Sequence, residues 1–367
     1  MVLDSNVQFQ GRWDLEGEDR YSTHWCGSLL RFQTTSRSVT LQLGGLTEAR
    51  GNYHNVLWRF GTHSVTRTIL VRGNRAMVLT PSGGSGEGQS GEVLLDVTVM
   101  LCDWGATLQV LDITTTDGRP ILPPAVGPPM RPLLFIGASL VSGFSPPFKG
   151  LVLPHGSHQA FGSIAVRTLR AEGIDTRLEM VAYPGLRLMT TEHDKGMEDV
   201  FWEGVGGLGG WEYRSKDSPH DIFVCLGTLS FYQTLKVPHE RMVAGANDQG
   251  WGADKSEFLQ RYKLFLVRLR DSYPNTVKRI FVISPFGIFT DPVDPKSRLL
   301  VFEPDVQQMV EDLAQSWLAS NPNGVKLRHI DTEGWIDKSL TCDGLHPTVE
   351  GHEKIGAKVV EILKAAA

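Results

Sequence analysis

The sequence predicts an α/β domain, a doubly wound parallel sheet flanked by helices, preceded by an all-β sandwich domain of the jelly-roll kind. Three observations predict it. Short runs rich in Val, Thr, Leu and aromatics, with Gly-rich turns between them, fill the first third of the chain. Six prolines and one glycine between Pro120 and Pro132 then make a semi-rigid connector. Beyond it, apolar strand-like runs alternate with helical patterns, as in a parallel sheet covered on both faces. The expected domains are 1–119 and 133–367, with 120–132 as linker.

In the first domain the expected strands are Leu29 to Gln33, Ser38 to Leu43, Val56 to Phe60, Ser64 to Val71, Ala76 to Leu79, Glu92 to Leu101 and Thr107 to Thr115. Apolar and polar residues alternate in Val39-Thr40-Leu41-Gln42-Leu43, the period of a half-buried strand. In the second domain the buried strands are Leu133 to Ile136, Leu178 to Ala182, Ile222 to Leu226, Ile280 to Ile283 and Val325 to Ile330. Helices are expected at Ser157 to Ala171, Ser256 to Ser272, Glu303 to Ala319 and Gly351 to Ala365.

The 367 residues suffice for two domains and a sizeable core. A hydrophobic share of 41% and a charged share of 21% are those of a globular chain. The net charge of −5 and the lack of a basic stripe argue against a nucleic-acid partner. No run of about 18 apolar residues exists, so no membrane span is expected. The N-terminus lacks the basic start and apolar core of a signal peptide. The expectation is a cytoplasmic chain, or a secreted one whose leader has been removed. Cys26, Cys102, Cys225 and Cys342 have no metal-ligand spacing. No metal or organic cofactor is expected.

The chemistry centres on Gly137-Ala138-Ser139, where the buried run Leu133 to Ile136 stops at a small-residue turn. Open α/β sheets keep their ligands at the carboxyl ends of their strands, so Ser139 is the candidate nucleophile. A serine needs a base at neutral pH, and the base needs an orienting group. Asp343 and His346, in Cys342-Asp343-Gly344-Leu345-His346-Pro347, supply both at a spacing that lets a loop fold the carboxylate back on its own imidazole.

These blocks resemble the SGNH (or GDSL) hydrolase superfamily of serine esterases and lipases. Its first block, Gly-Asp-Ser-x-x-x-Gly, is matched by Gly137 to Gly143, with Ala138 in place of aspartate. Its second-block glycine is matched by Gly185. Its last block, Asp-x-x-His, is matched by Asp343 and His346. Its third block, Gly-x-Asn-Asp, is read at Gly227-Thr228-Leu229-Ser230, where Leu229 replaces the asparagine. A sandwich followed by such a domain resembles carbohydrate esterase family 2, whose members remove acetyl groups from sugars. The resemblance implies an oxyanion hole made by the Ser139 and Gly185 backbone N–H groups and an asparagine amide. Thr228 or Ser230 stands in for that amide, with Asn247 more distant.

Other residues are weighed against plainer roles. Trp25, Trp202 and Trp211 are substrate-binding candidates, with core packing as the alternative. His155 and His158 are read as loop and cap residues, Asp221 as a cap or turn residue, and His352 as solvent-facing. Gly204 to Gly210 has no phosphate-loop ending and reads as a loop beside the site. The expected function is hydrolysis of a small acyl ester, acetyl among them, of a sugar or other hydroxylated natural product. The alternatives are an acyltransferase with the same Ser/His pair and a sugar-binding protein on a degenerate fold. The oligomeric state is left open.

Overall fold

The computed structural model describes residues 2–15, 20–49, 56–70, 73, 75–81, 93–127, 129–144, 153–203, 219–226, 248, 253–286 and 302–366. It divides into two compact units, Met1–Pro129 with Pro154–Ser157, and Met130–Leu153 with His158–Ala367.

The first unit opens with a short helix α1 (Val2–Asn6), followed by β1 (Gln8–Gln10), β2 (Asp14–Leu15), β3 (Tyr21–Thr23), β4 (Leu29–Thr34), β5 (Val39–Leu43), β6 (Glu48–Ala49), β7 (Val56–Phe60), β8 (Thr66–Thr68), β9 (Ala76–Leu79), β10 (Leu95–Leu101) and β11 (Ala106–Thr115). Two antiparallel sheets result, in the orders β1-β4-β10-β7-β8 and β2-β3-β11-β5-β9, with β6 also on β11. Alternate residues of β4 and β5 are buried, as their pattern requires. Leu30 and Phe32 from one sheet and Leu41, Leu43 and Val110 from the other lie in one core, which makes the unit a two-layer sandwich. The expected strand at Ser64 to Val71 shortens to β8. The strands β1, β2, β3 and β6 have only two or three residues each, too few to show alternation.

The proline stretch is not all connector. Gln33 and Leu122 exchange backbone hydrogen bonds of 2.8 Å each, which ties its start to β4. Its end is already strand β12 (Arg131–Gly137).

The second unit continues with α2 (Ser139–Ser142), α3 (Phe161–Ala171), β13 (Thr176–Ala182), α4 (Met197–Glu203), β14 (Asp221–Cys225), α5 (Lys255–Ser272), β15 (Arg279–Ile283), α6 (Glu303–Ser320), β16 (Lys326–Ile330) and α7 (Val349–Ala365). All five strands are parallel, in the order β13-β12-β14-β15-β16. The chain steps one way from β12 to β13 and the other way from β12 to β14. Right-handed crossovers then put α3 on the opposite face from α5 and α6. Consistently, α3 packs with α7 and α5 with α6. Phe135, Phe223 and Phe281 stack across neighbouring strands at 4.8 Å, and Phe161 of α3 meets Phe135 edge-on. Among the described residues no helix is long and apolar enough to cross a membrane.

Two sequence expectations change here. Asp221 caps no turn. It is fully buried at the start of β14, where Arg131 Nε and Arg279 Nε each donate to it at 2.6 Å. A buried carboxylate is tolerated when paired in this way. His352 does not face solvent. It lies on the stripe of α7 that includes Ile355, Val359 and Leu363, all buried, and its Nδ1 accepts the Phe161 N–H at 3.2 Å. Burial, with the charge of His346 adding to it, pushes His352 down to a pKa of about 3, so it is a neutral core residue.

Candidate active site

Strand order decides where the site lies. The sheet reverses direction at β12, which leaves a crevice beyond the carboxyl ends of β12 and β14. Gly137 ends β12 there. A Cβ on it would stand 2.6 Å from the Cys225 carbonyl oxygen, so only glycine lets the two strands close up. Ala138 leaves the strand and Ser139 opens the single turn α2, which Gly143 ends at φ 70°. The Ser139 carbonyl accepts from Ser142 Oγ and from the Phe144 N–H, each at 3.1 Å. The turn is thus fixed through the Ser139 carbonyl.

His346 comes from the loop before α7. Cys342 N–H donates to the His346 carbonyl and Thr348 N–H to the Leu340 carbonyl, both at 2.8 Å, which closes the loop on itself. Gly344 takes φ 90°, a left-handed conformation that favours glycine. Asp343 is held inside. Its Oδ1 accepts the His346 and Leu345 N–H groups at 2.7 and 3.0 Å, and its Oδ2 stands 2.7 Å from His346 Nδ1. Burial alone would raise the Asp343 pKa. The hydrogen bond and charge of His346, with the two N–H groups, outweigh it and leave the carboxyl below its ordinary value. A charged Asp343 keeps the proton on Nδ1 and the lone pair on Nε2. His346 Nε2 is buried and has no hydrogen-bond partner among the described residues.

The serine turn and the histidine loop meet through Phe144, whose ring lies 5.1 Å from the His346 ring, edge to face. Gly185 follows β13, where the Tyr183 N–H donates to the Gly137 carbonyl at 3.3 Å, and takes φ 80°. The structure therefore brings Tyr183, two residues before Gly185, to the end of β12. The expected third-block residues Gly227, Thr228, Leu229 and Ser230, the more distant Asn247, and Trp211 and the Gly204 to Gly210 stretch, lie outside the described residues.

Sequence reading missed Asp248. It is buried, and its carboxylate accepts the Leu188 and Met189 N–H groups just after Gly185. A signal was present, because Gly245-Ala246-Asn247-Asp248 is itself Gly-x-Asn-Asp. It stands about twenty residues beyond the strand end where that block was sought.

Of the three candidate tryptophans, Trp25 and Trp202 lie among the described residues, and both are packed. Trp202 of α4 lies under the Arg268 guanidinium, 4.2 Å from its ring centroid, and edge-on to Phe201. Arg268 belongs to α5, so the indole joins two helices. Trp25 is buried in the sandwich unit, with Arg12 5.4 Å over its ring. Among the described residues no group of three His, Cys, Asp or Glu side chains is arranged to hold a metal ion.

A scan against models of protein families gives no match, and no curated protein matches. Solved structures do. A family two carbohydrate esterase from Clostridium thermocellum, in complex with cellohexaose, is 16% identical with a TM-score of 0.68, over 98% of each chain. An acetyl xylan esterase from the rumen bacterium Butyrivibrio proteoclasticus is 15% identical with a TM-score of 0.67, over 100% of this chain and 97% of the other. A salicylyl-acyltransferase from a tetracycline biosynthetic pathway is 13% identical with a TM-score of 0.62, over 99% and 96%. The likeness is one of fold. The resemblance to carbohydrate esterase family 2 read from the two-domain layout thus extends, in fold, over nearly the whole chain.

Proposed function

We propose that this chain is an SGNH-type serine esterase, with a jelly-roll sandwich ahead of its catalytic domain, that hydrolyses a small acyl ester, acetyl foremost, of a sugar or other hydroxylated natural product. One observation carries the reading. Asp343 takes the Nδ1 side of His346, and the free Nε2 side belongs to a ring packed against the turn that holds Ser139. That is the arrangement of a base whose tautomer is set by its own loop.

In the proposed reaction His346 Nε2 takes the proton from Ser139 Oγ as the hydroxyl attacks the ester carbonyl. The Ser139 and Gly185 N–H groups meet the developing oxyanion. Asn247 supplies the third donor in place of Thr228 or Ser230. What supports Asn247 is the hold of its neighbour Asp248 on the backbone three and four residues past Gly185. His346 then gives its proton to the departing alcohol. Water, activated by the same imidazole, releases the acid and restores Ser139. A sugar ester is favoured because the fold is shared with a structure in complex with cellohexaose.

A second reading, acyl transfer to an alcohol, is favoured by the shared fold with the salicylyl-acyltransferase and by burial of both Ser139 and His346. A site closed to water lets another acceptor compete. Hydrolysis of p-nitrophenyl acetate and octanoate by the parent, Ser139→Ala and His346→Ala chains tests the first reading. Cleavage by the parent alone supports it. Parent turnover no faster than that of the variants removes hydrolysis and leaves transfer, to be assayed with an added alcohol.

A further inference from the structure

We propose that Asp248 is a positioning residue that holds the Gly185 turn in register for the oxyanion, an inference that rests on the esterase reading. The turn itself is short: the Leu186 N–H donates to the Tyr183 carbonyl at 3.1 Å, and Gly185 lies between them. Past it the chain joins neither strand nor helix until Met197. Leu188 and Met189 are buried there, so their amides must find acceptors inside the protein. Asp248 accepts both, Oδ2 from Leu188 N–H at 2.9 Å and Oδ1 from Met189 N–H at 2.8 Å. Bonds to a charged acceptor are roughly twice as strong as neutral ones.

The opposite side of the same segment is fastened to α4. Met197 N–H donates to the Arg187 carbonyl at 2.7 Å and Glu198 N–H to the Leu188 carbonyl at 3.0 Å. A Cβ on Gly196 would stand 2.5 Å from the Met189 carbonyl oxygen, so the two backbones touch. Glu198 also accepts the Thr190 N–H at 2.7 Å, and Arg261 of α5 pairs with it at 2.6 Å. Residues 187–190 are therefore gripped from both sides, by the Arg187 and Leu188 carbonyls and the Thr190 amide on the α4 side and by the Leu188 and Met189 amides on the Asp248 side. With the α4 grip alone the Leu188 and Met189 amides are unheld, and Gly185, the residue that must aim an N–H at the oxyanion, shifts with them. Asp248 removes that freedom. Its contribution appears when charge develops on the substrate oxygen and not when the substrate first binds.

The test compares Asp248→Asn with Asp254→Ala. The latter removes the α5 cap, in which Asp254 Oδ1 accepts the Glu257 N–H, and lowers stability while leaving both Asp248 carboxylate bonds in place. In Asp248→Asn, kcat on p-nitrophenyl acetate falls about 10- to 100-fold, below the full loss of one oxyanion donor. KM changes by less than about twofold, affinity for a tetrahedral alkylboronic acid falls in parallel with kcat, and amide hydrogen exchange over 185–191 speeds up. Asp254→Ala shows none of these changes. Equal kcat losses in the two variants, or unchanged exchange over 185–191, overturn the proposal. Should the parent cleave no ester, the esterase reading fails, and exchange over 185–191 still decides whether Asp248 holds the turn.

Discussion

Phe144 and His346 stand edge to face, with centroids 5.1 Å and planes 65° apart. This joins the turn of the candidate nucleophile to the loop of the candidate base, two segments about two hundred residues apart in the chain. Such a pair contributes about 0.5–1.5 kcal/mol beyond its buried area. Phe144→Ala therefore lowers kcat/KM by up to about tenfold, and Phe144→Leu, which keeps the bulk but not the ring, recovers part of it. Steady-state kinetics on p-nitrophenyl acetate reads both.

Asp343→Asn leaves an oxygen to accept the His346 and Leu345 N–H groups, so the loop keeps its shape. An amide N–H facing Nδ1 moves the imidazole proton to Nε2 and removes the base. The expected loss in kcat is about 10³- to 10⁴-fold, with the thermal midpoint close to that of the parent. A loss under tenfold would show that Asp343 does not set the tautomer.

His352 gives an acid sensitivity of known sign. Its folded pKa of about 3 lies below its ordinary 6.5, so between those values the unfolded chain binds the extra proton. The stabilisation is complete above pH 6.5 and is lost as pH falls towards 3, by at most about 1.4 kcal/mol per pH unit. Asp343, also lowered by folding, keeps its full contribution above its ordinary 3.8 and loses it only below that value. His352→Asn keeps an acceptor for the Phe161 N–H and carries no titration. Denaturant unfolding from pH 7 to 4 is expected to show a shallower decline for the variant, and equal slopes would remove His352 as the cause.

The two readings of the third block separate cleanly. If Asn247 donates to the oxyanion, Asn247→Ala costs about 100- to 1,000-fold in kcat, while Thr228→Val and Ser230→Ala cost little. The reverse ranking restores the Gly227 to Ser230 reading.

Much of this was legible because it is local. Val39 to Leu43 alternates with period two, and the unbroken apolar run of Leu133 to Ile136 marks a strand covered on both faces. Asp343 and His346 were legible because their contact spans three residues. What escaped was set by distance or by competing periodicities. The partners of Asp221, Arg131 and Arg279, are 90 and 58 residues away, and only the register of three parallel strands brings them together. His352 is buried because it shares a stripe of α7 with Ile355 and Val359, a helical period that outweighs the polarity of its side chain. Asp248 was overlooked because the third block was sought directly after β14. The strands β1, β2, β3 and β6 are too short for any pattern, and α4 has too few turns to show one.

The most direct measurement is covalent capture of the nucleophile. The parent, His346→Ala and Ser139→Ala chains are treated with a fluorophosphonate, digested and mapped by mass spectrometry. A single phosphonyl adduct on Ser139 of the parent, strongly reduced in His346→Ala and absent in Ser139→Ala, is the predicted result, and it holds for hydrolysis and acyl transfer alike. An unlabelled parent, or an adduct on another serine, would contradict the assignment of Ser139 and His346 as nucleophile and base.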